Sequence, residues 1–293
     1  MHVFITGGTG LIGSAVTKEL ISNGHSASIL ARSDASAERA AELGAAAVRG
    51  DLSSADVLRS AAEAADGVIH LAFRNDFSSP AALAASVEEE ASAIDTLGRI
   101  LIGSDKPFVM VAGTPAVTGR TATEADPLPT DGPVGGRSVA VTRALRFGDQ
   151  GVRTSAIRLP RTVHADGEGG FAGLLANFAE ESGICGYPGD GTQRWPAVHA
   201  QDAAALFRLA LESAEGGTSW HAVADEGVRV IDIAEVLGRR LGLPVGTVPE
   251  ENFGPLGPIF ATDQPASSQH TRSALGWTPT RPGLLDDLES LTR

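Results

Sequence analysis

Apolar residues in the first half of the chain fall into two alternating textures. Short runs at His2–Thr6, Ala27–Ala31, Ala46–Arg49 and Val68–Ala72 are apolar at nearly every position, as strands covered on both faces are. Between them apolar residues recur at helical spacing. Leu11, Ile12, Ala15, Val16, Leu20 and Ile21 mark one face of a helix over Leu11–Asn23, which Asn23-Gly24 closes, and further helices are predicted over Ala35–Leu43 and Ser54–Ala64. A long helix over about Pro80–Ile102 follows, then a strand at Phe108–Ala112 and a Pro/Gly-rich loop from Thr114 to Gly136. A helix over about Arg137–Asp149 and a strand at Thr154–Arg158 complete the series. Strict alternation with short links predicts an α/β fold, a doubly wound parallel sheet with helices on both faces, occupying residues 1–160.

Past Pro160 the texture changes. Gly and Pro clusters at Asp166–Gly170, Gly186–Gly191 and Asn252–Pro265 separate short helices at about Phe171–Glu181, Ala200–Leu211 and Ile231–Leu241. Residues 161–293 therefore read as a smaller, loop-rich region for substrate, with a segment at about 197–225 expected to return to the first domain's core.

Composition narrows the function classes. A chain of 293 residues can bury a sizeable core in one or two domains. Its formal charge of −13 and lack of a basic run argue against a nucleic-acid partner. The lone cysteine, Cys185, permits no internal disulfide, and the first strand at His2 leaves no room for a signal peptide, so a cytoplasmic protein is expected. No apolar stretch approaches the roughly 20 residues that cross a bilayer. Metal-ligand spacings of Cys and His, a Gly-x-Ser-x-Gly elbow and a Gly-Lys-Ser/Thr loop are all missing, so no metal site is expected.

The most informative motif is Thr6-Gly7-Gly8-Thr9-Gly10-Leu11-Ile12-Gly13, between a predicted strand and a predicted helix. Gly7 permits the tight turn, Gly10 lets the backbone approach a pyrophosphate, and Gly13 lets helix pack on sheet, with the phosphates on the helix N-terminus. The second strand ends at Ala31-Arg32-Ser33, with no acid where an NAD-selective site holds the ribose 2′-hydroxyl. Arg32 suits a 2′-phosphate, with Ser33 adding a hydroxyl, which favours NADP over NAD. In the alternative, Arg32 is an ordinary solvated arginine and Asp34 turns inward to bind the ribose.

With Gly50-Asp51-Leu52, Val68-Ile69-His70-Leu71-Ala72, Arg158-Leu159-Pro160, Trp195-Pro196-Ala197-Val198-His199 with Asp202, and Leu275-Gly276-Trp277-Thr278-Pro279, the chain resembles the extended branch of the short-chain dehydrogenase/reductase superfamily, which includes nucleotide-sugar epimerases and dehydratases. The resemblance implies a Rossmann-type fold and a cofactor site formed by Gly7, Thr9, Gly10, Leu11, Ile12, Gly13, Arg32, Ser33, Asp51, Leu52, Leu71, Ala72, Phe73 and Pro160. It also implies a Ser or Thr after the fifth strand, which Thr114 matches, and a Tyr-x-x-x-Lys pair. That pair does not exist here: the single tyrosine is Tyr187, and the two lysines are Lys18 and Lys106. Pro133 and Arg137 fall at the corresponding positions, a pattern that looks like the family's atypical branch. Arg137 keeps a positive charge but is a poor proton donor.

His164, in a segment leaving the sixth strand at its C-terminal end, is the candidate proton donor; the alternative is a histidine that merely packs. His70 reads as structural, a neutral imidazole bonded inside a buried strand, and His199 as a residue fixing the chain between the two regions. Arg74, Asn75, Asp76 and Phe77 follow the fourth strand toward the cleft, where Asp76 is either an acid/base or a solvated cap. Arg194, beside Trp195, either pairs with a substrate anion or caps the fold. Phe253–Phe260 either closes over an apolar substrate or straps the core. The expected activity is NADPH-dependent reduction of a carbonyl on a small organic molecule, or the reverse oxidation. Thr114 would orient the carbonyl, Arg137 would supply charge, and His164 or water would give the proton. The alternatives are a non-redox isomerase, cyclase or dehydratase, and an NADP-sensing protein without turnover. The two long helices resemble those of the family's four-helix interface, which implies a homodimer.

Overall fold

Val3, Phe4 and Ile5 are all without exposed surface, and their alternation sets the layering of the molecule. Successive side chains of a strand point to opposite faces. Val3 and Ile5 join a core with Val16, Leu20, Leu206 and Phe207, whereas Phe4 joins a second core with Leu58, Ile94, Leu97, Phe108 and Met110. A strand with cores on both sides belongs inside a parallel sheet, because crossover helices cover each face. The computed structural model describes residues 1–76, 78–132, 135–166 and 169–290. Six strands of the central sheet come from the first half: β1 (His2–Thr6), β2 (Ser26–Ala31), β3 (Ala46–Arg49), β4 (Gly67–His70), β5 (Pro107–Gly113) and β6 (Arg153–Leu159). The helices between them are α1 (Leu11–Ser22), α2 (Asp34–Glu42), α3 (Ala55–Ala64), α4 (Pro80–Ile100) and α5 (Gly135–Leu145).

The second half holds β7 (Thr162–His164), α6 (Gly170–Ser182), β8 (Cys185–Tyr187), β9 (Arg194–His199), α7 (Ala200–Ser213), β10 (Thr218–His221), β11 (Asp225–Arg229), α8 (Val230–Leu241) and β12 (Val245–Thr247). Short helices α9 (Gly257–Phe260), α10 (Gln269–Leu275) and α11 (Leu284–Ser290) end the chain. Strand β10 pairs in parallel with β6, giving the seven-stranded order β10-β6-β5-β4-β1-β2-β3. Helix α7 supplies Leu206 and Phe207 to the core it shares with α1. The remainder of the second half forms a separate lobe around Trp195, Ile233, Leu237, Phe253 and Phe260. The C-terminal segment is pinned back onto α7: Trp277 Nε1–H donates to the Asp202 carbonyl at 2.9 Å, and the Asp202 carboxylate accepts from the backbone N–H groups of Thr280 and Arg281.

Several elements differ from the periodicity. Strand β4 stops at His70, so Leu71 and Ala72 are irregular, and the helix expected to reach Asp149 ends at Leu145 and tightens into a 3₁₀ turn over Arg146–Gln150. The strands of the second lobe are three to six residues long, too short to carry a readable alternation. Phe253–Phe260, expected as an apolar loop, lies within a 3₁₀ turn (Glu250–Leu256) and α9, with Phe253 and Phe260 buried. Among the described residues no helix is long and apolar enough to cross a membrane.

Candidate functional site

The glycine turn leads from β1 into α1, and each of its three motif glycines is required differently. At Gly7, φ is +73° and an added Cβ would lie 2.7 Å from the Ala72 nitrogen, so the turn presses against the chain leaving β4. A Cβ on Gly13 would lie 2.0 Å from the Gly7 carbonyl oxygen. A Cβ on Gly10 would meet nothing nearer than 3.6 Å, because Gly10 faces open space. Helix α1 carries no side-chain cap and no acid in its first turn. Its first N–H groups and the positive end of its dipole are thus available to an anion.

Beside this turn lies a cleft of about 560 Å³. Gly7, Thr9, Gly10, Leu11, Ile12 and Gly13 line one side, with Arg32, Asp51 and Leu52 at one end and Leu71, Ala72 and Phe73 along the chain after β4. The His70 imidazole positions that last segment. Its Nδ1 lies 2.8 Å from Thr6 Oγ1, and Thr6 Oγ1 also accepts from the Ala72 N–H at 3.3 Å. Full burial, with the Arg137 charge adding to it, holds the His70 pKa down to about 3, so the ring is neutral and structural, as its place in a buried strand implied.

Arg32 is exposed on the cleft and has no hydrogen-bond or ion-pair partner among the described residues. Asp34 does not turn inward; it pairs with Arg49 on the far side of the β2–α2 turn. Ser33 does not line the cleft either. Its Oγ accepts from the Ser36 N–H while the Ser36 hydroxyl accepts from the Ser33 N–H, a capping box that starts α2 and turns Ser36 to the cleft instead. Asp51 Oδ1 accepts from the Ser53 N–H and from the Ser53 and Ser54 hydroxyls, which hold its carboxyl below the ordinary range. Pro160 is buried after β6 and lies off the cleft. The free helix N-terminus, the open face of Gly10 and the unpaired cation at the opposite end together fit a dinucleotide.

Arg137, which does not itself line the cleft, projects from the first turn of α5 onto Phe73, which does. Its Nε–H and Nη2–H donate to the two carboxylate oxygens of Glu90 at 2.6 and 2.7 Å, and its guanidinium carbon sits 3.9 Å from the centre of the Phe73 ring. Glu90 is 1% exposed, and the sequence reading missed it. It was legible: in Glu88-Glu89-Glu90 the third acid shares a helix face with Ser86, Ile94 and Leu97, all buried. Pro133 lies outside the described residues, as does Phe77. Thr114, after β5, is buried; its carbonyl accepts from Gln264 Nε2–H at 2.5 Å. That nitrogen also donates to Thr114 Oγ1, at 3.5 Å, and Thr114 does not line the cleft.

His164 is not at this site. The segment expected as a loop is strand β7, paired with β9, and it carries His164 into the interior. Its Nδ1 lies 2.7 Å from Asp287 Oδ2 on α11, and its ring meets that of His199 edge-on at 5.4 Å between centroids. The imidazole therefore ties the C-terminal helix to the fold and does not line the cleft. His199 caps α7, accepting from the Gln201 N–H. Asp76 accepts from the Ser78 N–H and hydroxyl, and those bonds keep its carboxyl low, so it is the loop cap. Arg194 is committed to Asp263 through Nε and Nη2, and braces the segment after α9. Phe253 and Phe260 pack on Phe178 and Trp195, which makes their segment a strap over the second core.

Known proteins match the chain over most of its length. A Saccharomyces cerevisiae protein described as uncharacterized is 41% identical over 297 residues, covering 99% of this chain and 98% of its own length. The sterol-4-alpha-carboxylate 3-dehydrogenase (decarboxylating) of Dictyostelium discoideum is 27% identical over 247 residues, covering 78% of this chain and 73% of its own. Among solved structures, the dTDP-glucose 4,6-dehydratase DesIV from Streptomyces venezuelae with NAD bound superposes with a TM-score of 0.78 at 19% identity, covering 99% of this chain and 95% of its own. The family model described as NAD dependent epimerase/dehydratase matches residues 3–223. With a seven-stranded parallel sheet and a smaller C-terminal lobe, the chain belongs to the NAD dependent epimerase/dehydratase family.

Proposed function

We propose that this chain is an NADP-dependent oxidoreductase that reduces a carbonyl on a small organic molecule, or runs the reverse oxidation. The observation that carries the cofactor preference is the contrast between Arg32 and Asp34. The cation stands unpaired on the cleft, where it would bind a 2′-phosphate, and the acid that could hold a bare ribose is tied to Arg49. A nicotinamide coenzyme supplies or takes up hydride. Thr114 would orient the carbonyl through its hydroxyl group. Arg137, locked by Glu90 over Phe73 and compensated by that carboxylate, would present its Nη1–H group as a hydrogen-bond donor near the C-terminal ends of β4 and β5, where oxyanion character develops during reduction. A guanidinium is too weak an acid to give the proton, and His164 is buried elsewhere, so water is assigned that role.

That missing titratable donor also favours a second reading, an NADP-sensing protein without turnover. Incubation with NADPH and a panel of aldehydes and ketones separates the two. Sustained loss of NADPH absorbance, with a nicotinamide C4 deuterium recovered in the product alcohol, is expected of the oxidoreductase. Tight binding that distinguishes oxidised from reduced cofactor, with no carbonyl consumed, would leave the sensor.

A further inference from the structure

Arg161 is the first residue after β6 and Pro160, at the carboxyl end of the sheet beside Thr114, the end at which open α/β sheets bind ligands. Several arginines of this acidic chain donate only to neutral acceptors, Arg153 and Arg158 among them, but the nearby Glu124 and Asp126 oppose the effect of burial on Arg158. Arg137 has Glu90, Arg194 has Asp263 and Arg120 has Asp126. Arg161 has no carboxylate partner among the described residues. Nη1–H donates to the Ile259 carbonyl at 3.0 Å and Nη2–H to Gln264 Oε1, both neutral acceptors, and Nε is buried without any hydrogen bond. The guanidinium carbon lies 5.1 Å from the Phe171 ring centre and 5.6 Å from that of Trp195. Burial pulls its pKa down to about 10, and no neighbouring carboxylate opposes that shift. A desolvated charge held only by neutral acceptors and aromatic rings is costly to keep in a fold, and an incoming anion offsets it.

The surroundings connect this cation to the reacting end of the site. Gln264 accepts from Arg161 with one end of its amide and donates to the Thr114 carbonyl with the other, so one side chain separates the guanidinium from Thr114. Apolar groups left open to solvent lie on the elements nearby. Ile259, whose carbonyl Arg161 holds, is 36% exposed; Leu174, one turn along α6 from Phe171, is 38% exposed; and Leu11, against which a Cβ on Gly169 would press at 2.9 Å, is 48% exposed. We infer that Arg161 is the substrate-recognition residue for a carboxylate, carried by a molecule with an apolar body and a carbonyl that reaches Thr114. One guanidinium compensates one charge, which favours a monoanionic carboxylate over a phosphate dianion. The assignment rests on the reading of Thr114 as the group that faces the substrate carbonyl.

Calorimetric titration of the NADP⁺-saturated protein tests it without requiring turnover, using benzoylformate, its neutral methyl ester and phenyl phosphate as probes. Wild type should bind benzoylformate at least about tenfold more tightly than the ester, the scale of a charge-assisted pair. Arg161→Met should erase that difference while binding NADP⁺ with wild-type affinity, which shows that the glycine-turn lobe is intact. Arg161→Lys, which keeps the charge and loses the planar fork, should recover part of it. Equal binding of acid and ester by wild type, unchanged discrimination in Arg161→Met, or tighter binding of phenyl phosphate would each overturn the assignment. Arg161-dependent binding of benzoylformate without NADPH consumption in any carbonyl assay would keep the carboxylate site and remove the reductase reading. Consumption of NADPH with neutral carbonyls and no preference for the acid would do the reverse.

Discussion

Arg32 and Asp34 stand two positions apart with opposite charges, and the direction of each side chain decides how the cofactor is read. The β2–α2 turn sends Arg32 to the cleft and Asp34 to Arg49. Arg32→Ala should therefore weaken NADPH relative to NADH by about tenfold or more, since charge-assisted hydrogen bonds contribute about 1.5–3 kcal/mol each. Fluorescence titration with both cofactors measures this, and an unchanged ratio excludes contact with the 2′-phosphate. His164 makes the opposite point. The residue types of Arg161-Thr162-Val163-His164 suit a site loop, and only the pairing of β7 with β9 shows that the histidine points inward. His164→Ala should cost about 2–4 kcal/mol of stability through the lost bond to Asp287 and the cavity left behind. On any carbonyl that wild type consumes, its turnover below the melting transition should be nearly unchanged; a selective loss of turnover would return His164 to the chemistry.

At the scale of elements, the turn between β1 and α1 carries two constraints that mutation separates. Gly13→Ala would force a Cβ to within 2.0 Å of the Gly7 carbonyl, so helix and turn must part, costing about 1–3 kcal/mol or more. Gly10→Ala meets no protein atom closer than 3.6 Å and should change stability by no more than about 0.5 kcal/mol. Its methyl group would nevertheless stand where the pyrophosphate must approach, so cofactor affinity should collapse while the melting temperature holds. Loss of both properties in Gly10→Ala would show that the open face is not the cofactor cradle. The first-half elements were legible because each strand is apolar on both faces and each helix on one. The second-lobe strands were not, since elements such as β7 and β8 have three residues and acquire their identity from partners far away in sequence.

For the molecule as a whole, buried neutral histidines make acid the vulnerable direction. Burial, the leading cause in each case, lowers the pKa of His70 to about 3 and also depresses His199 and His221. In the unfolded chain each titrates near 6.5. Below that pH the unfolded state takes up protons that the folded state refuses, so stability is lost as pH falls, by about 1.4 kcal/mol per pH unit for His70, with His199 and His221 acting in the same direction. The melting temperature should thus drop between pH 7 and pH 5, before most carboxylates titrate. His70→Asn should flatten that slope by about one proton. A slope equal to wild type in calorimetric scans would mean that His70 is protonated in the folded state.

The sequence by itself determined the layers, the glycine turn and the absence of a Tyr-x-x-x-Lys pair, because these depend on residue type and short-range spacing along one chain. It also contained Glu90, through the face that residue occupies on α4. What only the tertiary structure decided was which polar groups meet. Asp34 finds Arg49, His164 finds Asp287 across 123 positions, and Arg161 is linked through Gln264 to Thr114 with no acid beside it. Those outcomes follow from burial and from the alternation of side chains across paired strands. Both are properties of the packed fold, because the cost of leaving a charge or a polar atom unpartnered arises once water has been excluded.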